Sequence, residues 1–359
     1  MRKLLLVGGA GYVGSVLTEE LLERGYAVRV LDRLYYGQDG LRNVRDRVEV
    51  IAGDMRTVEK SVLEGIDAVI NAGGLSNDPT AEYNPKANYE MNTVSTVKLA
   101  RLCKEQCIPR YIFASSCSIY DTGVGNGQKD QIQDESSPVN PRAAYSRSKY
   151  DAERALIEMA DNSFCPVILR KGTIYGFSPR MRYDLVVNTF IKDALSKGIL
   201  NIHYGGEIWR PLVDIRDAAR AYIACLEADA ALVRAQTFNV CFNNMRISEL
   251  ALRVRETLRQ LGIDVDIQPD YGYKAVRNYR VSTKKIEQAL GIYPKVTVEE
   301  SVADMVQKIH QYGYVDFDNP KYYNIRWMRL LEEAQKVIGT AGSVFEMPEP
   351  VTPIRVHAV

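Results

Sequence analysis

Lys3-Leu4-Leu5-Leu6-Val7-Gly8-Gly9-Ala10-Gly11-Tyr12-Val13-Gly14 opens the chain and decides how the rest of it is read. Lys3–Val7 is a short apolar run of strand character. Gly8, Gly11 and Gly14 follow with GxxGxxG spacing, and Tyr12–Arg24 then carries apolar residues at helical intervals. Glycine at these three places lets the turn tighten, lets the backbone approach a pyrophosphate, and lets helix pack on strand. The start of the helix directs free amides and a partial positive charge at the phosphates. A glycine triplet alone says little; one placed between a strand and an amphipathic helix reads as a dinucleotide site. Gly8, Gly11, Tyr12, Val13 and Gly14 are therefore candidate cofactor contacts. Asp32 ends the next apolar run, eighteen positions after Gly14. A carboxylate there accepts hydrogen bonds from ribose hydroxyls and repels a 2′-phosphate, which favours NAD over NADP. Arg33 beside it is the opposing signal, because an arginine can accommodate that phosphate. Asp54 and Met55, after the third run, are placed to touch the adenine; a solvated loop aspartate explains Asp54 nearly as well.

Outward from this turn, short runs alternate with helical periods. Val28–Leu31, Val48–Ile51, Ala68–Ile70, Tyr111–Ala114 and Val167–Leu169 read as strands. Val58–Glu64, Pro85–Gln106 and Ala143–Met159 read as helices. This alternation predicts an α/β fold of Rossmann type, a doubly wound parallel sheet with a smaller mixed α/β lobe after it. The nucleotide-binding domain spans 1–179, with 236–245 returning to its sheet. The substrate lobe spans 180–320, and 321–359 is a C-terminal helix and tail. Asp184–Lys197, Ile215–Glu227, Ser248–Leu261, Ser282–Leu290 and Val298–Tyr312 read as helices of the second half, and Trp209–Val213 and Thr237–Val240 as strands. Glu346–Val359 reads as an exposed tail.

Composition narrows the function. The 359 residues carry 46 Lys plus Arg against 45 Asp plus Glu, so no global field draws nucleic acid or an anionic membrane. Hydrophobic residues, at 46%, suffice for a sizeable core. No window reaches the ~18 apolar residues of a membrane span, and Gly8-Gly9 breaks the opening apolar run too early for a signal peptide. The six cysteines form no CxxC pair and have no histidine at zinc spacing. Together these features predict a cytoplasmic protein without a structural metal.

Tyr145-Ser146-Arg147-Ser148-Lys149 places a phenol and an ammonium four apart on one helix face. A free tyrosine titrates near pH ~10, too high for a base at neutral pH. A nearby ammonium stabilises the phenolate, so Tyr145 can exchange a proton with a sugar or alcohol hydroxyl while a hydride moves to or from a nicotinamide. Ser116, at the end of the fifth strand, is placed to orient the reacting oxygen. An exposed Tyr–Lys pair is the bland alternative for YxxxK; the glycine turn and the serine-rich strand end weigh against it.

With these residues the chain resembles the extended short-chain dehydrogenase/reductases that modify nucleotide-diphosphate sugars, the branch of UDP-galactose 4-epimerase and the sugar 4,6-dehydratases. The likeness rests on GGAGYVG at 8–14, Asp32, Asp54, NAGG at 71–74, Asn92, SSCSIY at 115–120, YSRSK at 145–149 and RPLVDIRD at 210–217, and covers residues 1 to about 310. It implies a catalytic set of Ser116, Tyr145 and Lys149, Lys149 also holding the nicotinamide ribose. Asn71, Ala72 and Gly73 would line the cofactor channel together with Asn92. Arg210 and Asn188 would bind the substrate diphosphate, and Arg277 and Tyr279 would close over the nucleotide. Arg180 and Arg182 add two charges where the chain enters the second lobe. Ser76, Asn77 and Asp78 fall near the expected sugar, where Asn77-Asp78-Pro79 either selects it or caps the following segment. Two positions depart from the pattern. Cys117-Ser118 stands where the 4,6-dehydratases carry Asp-Glu, which disfavours that elimination. Thr173 stands where an asparagine often contacts substrate. The resemblance also implies a homodimer through the helices Pro85–Gln106 and Ala143–Met159, whose second apolar stripe includes Val94, Val97, Ala100 and Leu156. The reading is an NAD-dependent nucleotide-sugar epimerase acting through a 4-keto sugar. The alternatives are a net dehydrogenase or keto-sugar reductase, then a 4,6-dehydratase or a non-catalytic NAD-binding regulator.

Overall fold

The structure, a computed structural model, describes residues 2–121, 131–139, 141–272 and 277–341. The expected tail Glu346–Val359 lies outside the described residues. Seven parallel strands form the central sheet: β1 Lys3–Val7, β2 Ala27–Asp32, β3 Glu49–Ala52, β4 Ala68–Asn71, β5 Arg110–Ser116, β6 Cys165–Lys171 and β7 Thr237–Val240. Their spatial order is β3-β2-β1-β4-β5-β6-β7. β1 lies between β2 and β4, so the strand order reverses at its carboxyl end. That is where the glycine turn leaves the sheet and α1 (Tyr12–Glu23) begins. The doubly wound parallel architecture is the one expected from the sequence.

The sheet is apolar on both faces because each face is covered. Leu4 and Leu6 of β1, with Ile112 and Leu169, pack under α1 and the helix Ile215–Glu227. The alternate residues Leu5 and Val7, with Phe113 and Ile168, pack under the helices Ser95–Glu105 and Ala144–Glu158. The second lobe has its own core, in which Tyr175, Val187, Phe190 and Leu250 meet Val302 and Met305. A three-stranded sheet of Thr173–Tyr175, Trp209–Asp214 and Asn243–Arg246 joins that lobe to the carboxyl edge of the main sheet.

Two expected helices differ from observation. The span Pro85–Gln106 is helical but not uniform: a π-turn at Glu90–Val94 separates Pro85–Tyr89 from Ser95–Glu105. This extra residue in the spiral turns Asn92 inward, where it is fully buried. Val58–Glu64 condenses to a single 3₁₀ turn, Lys60–Leu63, too short to satisfy a helix hydrogen-bond ladder. The apolar stripe offered for dimer contact also divides. Ala100 and Leu156 are core residues, whereas Val94 is exposed. Among the described residues no helix is long and apolar enough to cross a membrane.

A buried ion pair fixes the end of the sheet that carries the site. The Arg170 guanidinium donates to Glu153 through Nη2 at 2.6 Å and Nε at 3.1 Å, and through Nη1 to the Tyr120 hydroxyl at 2.6 Å. Ser115 donates to the same carboxylate. Glu153 is 1% exposed, so removing either partner strands a charge. Glu153→Ala is expected to lower unfolding free energy by about 3–5 kcal/mol in a denaturant titration. A loss below ~1 kcal/mol would show that the pair is not a structural anchor.

Candidate active site

The turn after β1 leaves no room for side chains. A Cβ on Gly14 would lie 1.9 Å from the Gly8 carbonyl oxygen. Gly8 takes φ +77° with its Cα against the loop after β4, and a Cβ there would come 2.9 Å from Gly73 Cα. Gly11 caps α1 with no side-chain hydrogen bond, so the first turn of α1 opens directly into the cavity. The facing loop is held from behind. Asn71 Oδ1 accepts the Gly73 amide at 3.2 Å, and its Nδ2 donates to the Tyr111 hydroxyl at 2.9 Å. Asn92 Nδ2 donates to the Leu75 carbonyl at 3.0 Å and to Ser148 Oγ at 3.2 Å. Neither asparagine lines the cavity; they position Ala72 and Gly73, which do.

Asp32 stands at the mouth of the turn. Its Oδ2 accepts the Ala10 amide at 3.0 Å and its Oδ1 the Leu34 amide at 2.8 Å. Burial raises its pKa, and these two amides oppose the rise. Arg33 is committed elsewhere: it pairs with Asp54 at 2.8 Å and lies 4.3 Å from the Tyr35 ring centroid. Asp54 also binds Arg56, and its pKa is lowered although burial works against the shift. Asp32, Arg33, Asp54 and Met55 all line the cavity.

Ser116, Tyr145 and Lys149 meet in the same cavity as the glycine turn. The Ser116 hydroxyl stands beside the Tyr145 phenol and favours its ionised form. Burial raises the phenol pKa; Arg277 is the strongest charge opposing it, with Ser116 and Arg182 adding to the opposition. Arg277 thus joins Lys149, the cation the spacing points to, beside the phenol. Lys149 Nζ lies 4.8 Å from the Phe113 ring centroid and 6.0 Å from that of Tyr145. Burial pulls its pKa down to about 8, with Glu153 opposing. Lys171, in the same cavity, donates to the Tyr222 hydroxyl at 2.7 Å, and burial pushes its pKa well below the ordinary lysine value.

On the substrate side Ser76, Asn77, Thr173 and Arg277 line the cavity. Asn77, at φ +85°, caps the helix Asp78–Tyr83 by accepting the Thr80 amide at 3.1 Å. Asp78 does not line the cavity; it ion-pairs with Arg277, which does. Arg210 and Asn188 are not brought to the cavity wall. Arg210 donates to the Trp209 carbonyl at 2.9 Å and to the Arg277 carbonyl, so it props Arg277. Asn188 is fully buried and its amide is spent on the fold, accepting from the Gly176 amide at 3.1 Å and donating to the Arg182 carbonyl at 2.8 Å. Cys117 is also off the cavity, donating to the Arg170 carbonyl at 3.0 Å. Sequence reasoning missed Tyr35, Tyr36, Lys171, Asn324 and Met328 as lining residues. Arg180 and Arg182 were visible in it only as two charges.

A doubly wound sheet with a glycine turn at its switch point and a Ser–Tyr–Lys group in the adjoining cavity defines a nucleotide-cofactor enzyme of the extended short-chain dehydrogenase/reductase class. The chain belongs to the NAD dependent epimerase/dehydratase family, which matches residues 4–241. It is 26% identical over 316 residues to a putative UDP-glucose 4-epimerase of Methanocaldococcus jannaschii, covering 84% of this chain and 97% of that protein. It is 28% identical over 238 residues, 64% of this chain, to UDP-glucuronic acid decarboxylase 1 of Xenopus tropicalis, and spans only 55% of that protein's length. Among solved structures its fold is similar to UDP-glucose 4-epimerase from Thermotoga maritima, with TM-score 0.75 and 22% identity over 87% of this chain and 99% of that one. UDP-glucuronic acid 4-epimerase from Bacillus cereus follows at TM-score 0.73 and 23% identity, over 87% of this chain and 100% of that one.

NAD is the family's cofactor, and the residues present fit it. The glycine turn closes to any Cβ. Asp32 offers a carboxylate at the end of β2. Arg180 Nε and Arg182 Nη2, on the cavity wall, are buried without a hydrogen-bond partner and suit a diphosphate.

Lys149 also makes stability depend on pH. Its folded pKa of about 8 lies below the free lysine value of 10.5, so between those values the unfolded chain binds more protons and stability rises with pH. Below pH ~8 the buried cation costs about 1–3 kcal/mol. Lys149→Met is expected to melt higher than the wild type at pH 7, with the gap closing above pH ~10. Equal melting temperatures across that range would contradict the burial of a charged lysine.

Proposed function

We propose that the protein is an NAD-dependent epimerase of nucleotide-diphosphate sugars, acting through a transient keto sugar oxidised at carbon 4. The observation that carries this reading is the meeting of Tyr145, Ser116 and Lys149 with the glycine turn in one cavity. The relative of matching length, a putative UDP-glucose 4-epimerase, supports the choice of substrate class. NAD, when bound, supplies the hydride acceptor and donor. Tyr145 Oη takes the proton of the sugar hydroxyl and later returns one. Ser116 Oγ, beside that phenol in the cavity, holds the reacting oxygen in line. Arg277 stabilises the phenolate and itself lines the sugar side of the cavity. Cys117 and Ser118 follow Ser116 but point into the protein, both at most 1% exposed. No acid–base pair therefore stands there to remove water, which argues against a 4,6-dehydratase. A net dehydrogenase or keto-sugar reductase is the second reading, since the same three side chains serve it.

Tyr145→Phe keeps the ring and removes the titrating oxygen. Turnover of a UDP-sugar is expected to fall about 10²–10⁴-fold, with NAD affinity by calorimetry nearly unchanged. Near wild-type turnover would move the proton transfer to another group.

We further propose a homodimer in the reducing cytoplasm, its six cysteines free, joined through the exposed side of the helices around Tyr89 and Val94, which are 45% and 51% exposed. Light scattering at micromolar concentration should give twice the 40.4 kDa chain mass; a monomer would refute it.

A further inference from the structure

The last described helix, Asn324–Ala341, starts at the cofactor cavity and runs away from it. Asn324 is 6% exposed and its polar atoms are all engaged. Oδ1 accepts from Arg180 Nη2 at 2.6 Å and from the Tyr36 hydroxyl at 3.1 Å. Nδ2 donates to Ser76 Oγ at 2.9 Å, and the backbone amide to Asp184 at 3.1 Å. In the same turn Trp327 Nε1 donates to the Tyr35 carbonyl at 2.6 Å, and Met328 lines the cavity. Further along, Leu330, Val337 and Ile338 are 42%, 60% and 53% exposed. The helix is thus tied to the cavity by its first turn, and two turns on it meets Tyr83 through Arg329 and Glu332.

Arg180 and Arg182 stand beside this tie. They are 5% and 6% exposed, and each keeps one buried nitrogen without a partner. Arg180 lies flat on Tyr36, 3.6 Å from the ring centroid. Burial pulls its pKa down to about 10, the sign of a cation short of countercharge. Both guanidinium groups share the cavity with the glycine turn, whose helix start favours the same anion.

We propose that Arg180, Arg182 and the first turn of the helix Asn324–Ala341 form a closing wall on the NAD site, which makes the cofactor resident through successive turnovers. The wall rests on the reading that NAD occupies this cavity, and it deepens the proposed function, since a reaction without net redox change has no need to exchange its cofactor. By linkage, a wall that slows NAD release must itself be stabilised by NAD.

The test compares holoprotein of the wild type, Asn324→Ala and Asn324→Asp. Each is diluted into excess alcohol dehydrogenase and ethanol, so that any NAD released is trapped as its reduced form and followed by absorbance. Asn324→Ala is expected to release NAD about 10-fold faster or more, the effect of losing a hydrogen bond to a charged group. Asn324→Asp keeps an acceptor for Arg180 and should stay within ~3-fold of the wild type. Hydrogen exchange of the 324–341 amides should slow when NAD is added. If Asn324→Ala fails to fold, Trp327→Phe takes its place, losing the indole donor to the Tyr35 carbonyl, and should also release faster. Wild-type release rates in the folded variant, or helix exchange indifferent to NAD, would overturn the wall. A wild type that releases no NAD on denaturation and binds none in calorimetry would overturn the cofactor reading along with it, so the two failures are distinguishable.

Discussion

Backbone meets backbone at the carboxyl end of β1, and the rest of the site depends on that contact. The turn can close only because Gly14 has no Cβ to strike the Gly8 carbonyl, and Gly8 none to strike Gly73. Those approaches draw the loop after β4 against the loop after β1, on either side of the point where the strand order reverses. Asn71 and Asn92 then fix the β4 loop from behind, and the π-turn at Glu90–Val94 is what brings Asn92 there. In the crevice so formed the start of α1, the end of β5 and the helix of Tyr145 share a cavity.

That crevice is rich in buried cations. Lys149, Arg180 and Arg182 are each nearly buried, and Lys149, Lys171 and Arg180 all have pKa values pulled down by lost solvation. Buried positive charge is costly until an anion arrives. A dinucleotide and a nucleotide-diphosphate sugar each bring a diphosphate, so binding relieves what folding strained. Burial likewise strengthens the field at Tyr145, where Arg277 and Ser116 work against the desolvation of the phenolate.

The sequence made legible what is local. The glycine turn, Asp32, the sheet strands and the Tyr145–Lys149 spacing all follow from short-range pattern, and β7, Thr237–Val240, has the limits its apolar run suggests. It was poor at what depends on distant partners. Asn188 and Arg210 carry the right chemistry for a diphosphate, but Asn188 is spent on Gly176 and the Arg182 carbonyl, and Arg210 turns its Nη1 to two carbonyls off the cavity wall. Asn324 reaches Tyr36 across 288 positions of chain, and no periodicity marks such a contact. The presence of Arg277 beside the Tyr145 phenol is of the same kind, since Arg277 lies more than a hundred residues beyond Tyr145.

The central claim, that this cavity oxidises and re-reduces one carbon of a nucleotide sugar without losing the cofactor, has a direct isotopic test. A UDP-sugar deuterated at carbon 4 is incubated with the holoprotein, and both epimers are examined by NMR while absorbance follows reduced nicotinamide. The account predicts interconversion with deuterium kept at carbon 4 in both epimers and no net build-up of reduced cofactor. Exchange of the label with solvent, or reduced nicotinamide accumulating in proportion to product, would contradict it.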